Sequence, residues 1–132
     1  MGFSMKYHDA ETVSVYLKDI ENVVRDSGVS LLSEAGDIVK RNMQLHLNHI
    51  RTDNSDINYK HMADDVIKRT ITDKYGDKIV RVRGGQATGT LWHIVNDGTY
   101  RTRATHFMDY AMDYADIEIE RLIDQELKKA GL

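Results

Sequence analysis

The residues best placed to do chemistry are four arginines, Arg81, Arg83, Arg101 and Arg103, on either side of a glycine-rich stretch at residues 84–90. A guanidinium stays charged at any physiological pH and grips carboxylate or phosphate through parallel N–H donors. The cluster is therefore suited to a nucleic-acid backbone or to an acidic protein face. The stretch Gly84-Gly85-Gln86-Ala87-Thr88-Gly89-Thr90 lacks the Lys-Ser/Thr ending of a phosphate-binding loop and opens no expected helix, so it reads as a flexible loop. His46 and His49 stand three apart at helical spacing and could share a metal ion if Asp53 or His61 supplied a third ligand. Surface histidines are the simpler reading, because no His-Glu-x-x-His pattern is present. Asp64-Asp65 and the set Asp109, Asp113, Asp116 and Glu120 could serve as general acids or cation ligands. Asp109, Asp113 and Asp116 share one helix face by spacing, which suits a solvated face or a subunit contact equally well.

A catalytic carboxylate needs a partner base or nucleophile in a defined pocket, and the sequence names none. No catalytic residue, metal site or cofactor is expected. The chain has no cysteine, which removes thiol catalysis, thiolate metal sites and disulfides together. It has no proline either. No apolar run approaches the ~18 residues of a membrane span, and residues 1–5 lack the basic and apolar parts of a signal peptide. Met5 can serve as the natural start, and residues 1–8 are expected to be disordered or an added remnant.

The elements that must hold these groups follow from periodicity. With 132 residues, 41% of them hydrophobic and 30% charged, the chain reads as a single domain spanning 1–132 with a core of its own. Val13, Tyr16, Leu17, Ile20, Val23 and Val24 fall at three- and four-residue steps, which predicts a helix with Asp9 as N-cap and Ser27-Gly28 at its end. Leu32, Ala35, Val39, Met43, Leu47 and Ile50 form a second stripe, with Ser30 as its cap; whether residues 9–50 make one helix or two stays open. Residues 51–59 read as a polar loop. Residues 66–72 and 78–83 read as a hairpin, with Val80 and Val82 on one face and Arg81 and Arg83 on the other. Residues 91–95 read as a third strand centred on Trp92. Met108, Ala111, Met112, Ala115, Ile119, Leu122, Ile123 and Leu127 mark a long last helix that Gly131 can end. The expected fold is α+β: a small antiparallel sheet of about three or four strands against N-terminal helices and a long C-terminal helix.

The net charge of −3 is unevenly spread. The middle of the chain is basic and the last quarter acidic, which suits nucleic-acid contact or complementary faces between subunits. Trp92 is core by default, and tryptophan is also a common interface anchor.

Three stretches carry a resemblance: Arg51-Thr52-Asp53-Asn54-Ser55-Asp56 with Lys60-His61-Met62-Ala63-Asp64-Asp65-Val66; Thr90-Leu91-Trp92-His93-Ile94-Val95-Asn96-Asp97-Gly98-Thr99; and Ala104-Thr105-His106-Phe107-Met108-Asp109-Tyr110-Ala111. Together, over residues 30–115, they resemble the small head–tail joining, neck or tail-completion proteins of long-tailed bacteriophages and prophages. Two positions depart from that family's usual pattern. Thr105-His106 stand where a proline often precedes the phenylalanine, and Asn96 stands where glutamate often precedes the Gly-Thr pair.

The resemblance implies a virion protein without catalytic residues, located in the neck or tail and in the host cytoplasm during assembly. Its partners would be copies of itself in a ring, six in the virion, together with head-closure and tail-tube or tail-terminator proteins. Trp92, Phe107, Tyr110, Asp109, Asp113 and Asp116 are then the interface candidates. Arg81, Arg83, Arg101 and Arg103 would line the DNA channel or touch neighbouring subunits, and the loops at 53–59 and 84–90 would order on docking. The alternatives are a basic-faced nucleic-acid-binding protein and a small metal-dependent hydrolase using the histidines with Asp64-Asp65.

Overall fold

The computed structural model describes residues 2–18, 25–49, 59–72, 74, 78–86, 89, 92–98 and 104–129. Eight elements follow in chain order: β1 (Gly2–Asp9), β2 (Thr12–Lys18), α1 (Arg25–His49), α2 (Tyr59–Asp64), β3 (Val66–Thr72), β4 (Lys78–Gly84), α3 (Trp92–Asp97) and α4 (Phe107–Lys129). The strands form one antiparallel sheet in the order β1-β2-β4-β3. This is the expected α+β class with four strands and a long C-terminal helix.

The N-terminal part departs from expectation. Residues 12–18 form strand β2 of a hairpin where the apolar steps predicted a helix, whose Ile20, Val23 and Val24 lie outside the described residues, and residues 2–8, expected to be disordered, supply most of edge strand β1. The decisive pattern is period two. Phe3, Met5 and Tyr7 lie opposite Leu17, Val15 and Val13 in the ladder, so both strands turn alternate residues to one face. Asp9 does accept a backbone N–H, but that of Glu11 at 2.8 Å, which tightens the hairpin turn and caps no helix. One continuous helix, α1, covers 25–49. Ser27-Gly28 and the expected cap Ser30 therefore lie inside it.

α1 buries Leu32, Ala35, Val39, Met43 and Leu47 against Val13 and Val15 of β2 and Val80 and Val82 of β4. Gly36 marks the closest approach, where a Cβ would collide with the Val80 side chain. Lys68 clips β3 to the same helix: its ammonium lies 2.7 Å from Asp37 and donates to the Ser33 hydroxyl at 2.9 Å. α4 packs antiparallel to α1 with Met108, Ala111, Ala115, Ile119 and Ile123 buried. Arg41 and Asn42 both reach Glu118 across that seam. Both long helices cover one face of the sheet.

Two short helices were not legible as such. Residues 59–64 form α2 in the stretch between the expected loop, which ends at 59, and the expected strand, which starts at 66; Met62 and Ala63 are buried. Residues 92–97 form α3 where a third strand was expected. Its buried residues Trp92, Val95 and Asn96 keep i, i+3, i+4 spacing. Gly98, at φ 77°, closes it by donating to the Ile94 carbonyl at 2.8 Å.

Candidate functional site

The interface candidates divide into two groups. Trp92 and Phe107 are core residues, 0% and 1% exposed. Their rings meet edge to face, with centroids 5.2 Å apart at 81°. Trp92 is thus in the core, its default reading, and neither residue is the surface anchor that the resemblance implied; they pin α3 to the start of α4, and the Trp92 ring lies directly over Gly84. Tyr110, Asp113 and Asp116 are exposed on α4, and Asp109 is half-exposed.

Asp109 belongs to a junction that sets the direction of α4. The Tyr7 hydroxyl of β1 donates to one carboxylate oxygen, while His106 and Asn96 approach the other at 3.2 and 3.4 Å. The buried Asn96 accepts the Met108 backbone N–H at 2.9 Å through its side chain and the His106 N–H at 3.0 Å through its backbone carbonyl. It thus caps α4 from a different element. His106 sits at φ 53°, a left-handed conformation that proline, locked near −65°, does not reach. The two departures from the phage-family pattern, Asn96 and Thr105-His106, are therefore the residues that build this junction. Burial, then the Asp109 hydrogen bond and the negative charges of Asp109, Asp97 and Asp113, push the Tyr7 phenol well above its ordinary range.

On the exposed side of α4, Tyr110, Tyr114 and Ile117 follow at i, i+4 and i+7, each more than half exposed. His46 of α1 lies against both tyrosine rings, and its Nδ1 is 2.8 Å from the Asn42 carbonyl. Beside this apolar stripe runs the acidic one: Asp113, Asp116 and Glu120, all exposed.

A second surface is cationic. Arg81 and Arg83 project from the outer face of the sheet, away from Val80 and Val82, as expected. The ladder adds partners that sequence reasoning missed. Lys6 stands opposite Ser14, Ser14 opposite Arg81, and Arg81 opposite Arg69, one residue per strand across all four strands. Lys6 lies over the Tyr16 ring at 4.9 Å, and His8 is 3.3 Å from Arg81. None of the ion pairs seen among the described residues includes Lys6, Arg69, Arg81 or Arg83. Among the described residues, the Ser14 hydroxyl and the Arg81 Nε here, and the Trp92 Nε1 in the core, are buried with no hydrogen-bond partner. The signal for Arg69 was the alternation Ile67-Arg69-Ile71; Lys6 and Ser14 were hidden by the helical reading of the N-terminus. Arg101 and Arg103 lie outside the described residues, as does Asp53.

The start of the glycine-rich stretch is pinned: Gly85 donates to the Asp65 carbonyl at 2.6 Å, and Gly89 to the Gly85 carbonyl at 2.8 Å. An open cleft of about 420 Å³ lies between these glycines, Arg83 and the β1–β2 turn with Asp9 and Glu11. Its two carboxylates disfavour phosphate there. Glu11 is also held by His93 at 2.7 Å. Among the described residues no three His, Cys, Asp or Glu side chains gather as metal ligands, and no helix is long and apolar enough to cross a membrane. His49 and His61 lie on helices, and Asp64 is exposed at the end of α2. Comparison with protein-family models, with curated proteins and with solved structures gives no match, so the phage-neck resemblance rests on the sequence motifs alone.

Proposed function

We propose that this chain is a structural subunit of a bacteriophage neck, a head–tail joining or tail-completion protein that works by assembly and docking without catalysing a reaction. The geometric observation that carries the reading is the exposed stripe Tyr110–Tyr114–Ile117 on α4, bordered by His46 of α1 and by the acidic residues. Monomeric soluble proteins rarely leave contiguous apolar stripes open, and those rimmed by polar groups mark protein–protein contacts. The three motif stretches agree with it. Copies of the chain in a ring, head-closure proteins and tail-tube or tail-terminator proteins are the partners this role calls for, in the virion and in the host cytoplasm during assembly. Deleting the gene from its phage or prophage should leave filled heads and finished tails unjoined. Normally joined virions from the deletion strain would overturn the reading.

The sheet's outer face favours a second reading, a basic-faced nucleic-acid-binding protein. Lys6, Arg69, Arg81 and Arg83 present their charges on one surface, and phosphate contacts supply most sequence-independent affinity. That reading expects binding of duplex DNA at low salt that falls steeply as salt rises, and that is lost on replacing the arginines. Absence of binding by the wild-type chain at low salt removes it.

A further inference from the structure

The two open surfaces carry opposite charge. On the sheet, Arg69 and Arg81 are directly opposite in the ladder, and like charges so placed repel. The chain keeps this arrangement with no carboxylate paired to either among the described residues. An anion laid over the row would relieve the repulsion. Next to Arg81, the buried Ser14 hydroxyl and the Arg81 Nε are donors without partners among the described residues. On α4, Asp113, Asp116 and Glu120 recur about once per turn on one exposed face.

The two periods nearly coincide. Strands repeat every ~4.8 Å across a sheet, and a helix turn rises ~5.4 Å. A helix crossing the strands at right angles therefore brings about one carboxylate to each strand. The apolar borders match as well: Tyr110, Tyr114 and Ile117 flank the acids, and the half-buried Ile67, Ile71 and Tyr16 flank the cations.

We infer that the cationic outer face of the sheet is the docking site for the acidic, tyrosine-bordered face of α4 of a second copy of this chain. The inference rests on the assembly-subunit reading and deepens it by naming which surface meets which. A second copy is favoured over nucleic acid for three reasons. Among the described residues, the sheet face has a single half-buried aromatic, Tyr16, for base stacking. The whole chain is net negative at −3. The complementary acids also stand on a different element of the same molecule. Because the surfaces differ, the contact is head-to-tail, and each copy can receive one neighbour and dock on another.

The test is self-association of the intact chain, followed by light scattering over a concentration series at low and high salt. Three exposed cations are reversed in one variant (Lys6→Glu, Arg69→Glu, Arg83→Glu) and three exposed acids in another (Asp113→Lys, Asp116→Lys, Glu120→Lys). Arg81 and Asp109 are left in place because they make contacts within the chain. Circular dichroism checks that each variant folds.

The wild type is expected to associate at low salt and dissociate as salt rises. Each single-face variant should associate more weakly by more than about tenfold. Mixing the two variants should restore assembly of alternating copies, since both contacts between unlike copies are then complementary. Carrying both reversals on one chain should restore assembly as well. A wild type that stays at 15.1 kDa at low salt overturns the inference, as does a doubly reversed chain that fails to recover. Tight DNA binding lost with the cation-reversed variant would give the face to nucleic acid and overturn it too. None of these outcomes decides the neck role, which the gene deletion tests independently.

Discussion

The two faces of the sheet are built on opposite rules. On the inner face, Val13, Val15, Val80 and Val82 are fully buried under α1, and Lys68, paired opposite Val82, is matched by Asp37 and Ser33. On the outer face, Lys6, Arg69 and Arg81 follow one another across the strands and stand outside the ion pairs seen among the described residues. A polar group kept near a core must be satisfied because its desolvation is otherwise uncompensated. The exposed charges of the outer face have no such constraint, so an unbalanced row can persist there, although it also holds the buried, unpartnered Ser14 hydroxyl and Arg81 Nε. The inner face and its helices hold the fold, and the outer face and the exposed face of α4 are the surfaces that the proposed assembly would use.

That contrast breaks most sharply at Trp92. Trp92→Ala should cost about 3–5 kcal/mol, read as a lower urea midpoint with an unchanged slope. If Trp92 were an interface anchor and no core residue, the isolated monomer would be hardly affected.

Asn96→Ala should cost about 2 kcal/mol, since it removes the cap of α4 and leaves a buried N–H unmet. Thermal unfolding by circular dichroism reads it. Asn96→Asp, which keeps the accepting oxygen but adds charge beside Asp97 and Asp109, should fall between the two.

Tyr7 sharpens the comparison through pH. Its phenol holds its proton more tightly in the folded chain than in the unfolded one, so its contribution is full below the ordinary phenol value of about 10 and fades as pH rises through the higher folded value. Tyr7→Phe should cost about 1 kcal/mol at neutral pH through the lost hydrogen bond to Asp109. The deficit should shrink above pH ~10, where the wild type alone loses this contribution. Parallel stability curves for the two chains up to strong alkali would contradict the assignment.

The smallest effect has the opposite sign. Arg69→Gln on the outer face should stabilise the isolated monomer by about 0.2–1 kcal/mol by removing the repulsion with Arg81, and the gain should fade with added salt. A destabilised variant would mean that Arg69 makes a favourable contact within the chain.

The long periodic elements were legible in the sequence. The stripe Leu32–Ala35–Val39–Met43–Leu47, the α4 stripe and the β3–β4 hairpin each repeat their period often enough for local pattern to decide. The opposed sides of Val80/Val82 and Arg81/Arg83 followed from that hairpin. Local pattern failed where a segment satisfied two periods at once. Val13, Tyr16 and Leu17 fit helical steps, and Val13 and Val15 fit strand alternation; pairing with β4, some sixty residues away in sequence, decides for the strand. Trp92–Val95 is rich in strand-forming residues, yet the pocket formed by Gly84 and Phe107 takes Trp92 from a helical turn that Gly98 then ends.

The candidate surfaces divide in the same way. The acids of α4 could be grouped from their spacing, because a single helix sets their neighbours. The row Lys6–Ser14–Arg81–Arg69 could not be, because its members come from four strands and only the ladder register brings them side by side. The sequence by itself determined the composition of each face, through periods that one element enforces. Tertiary structure alone decided which elements share a face, because cross-strand pairing and helix capping join residues whose separation along the chain carries no local signal.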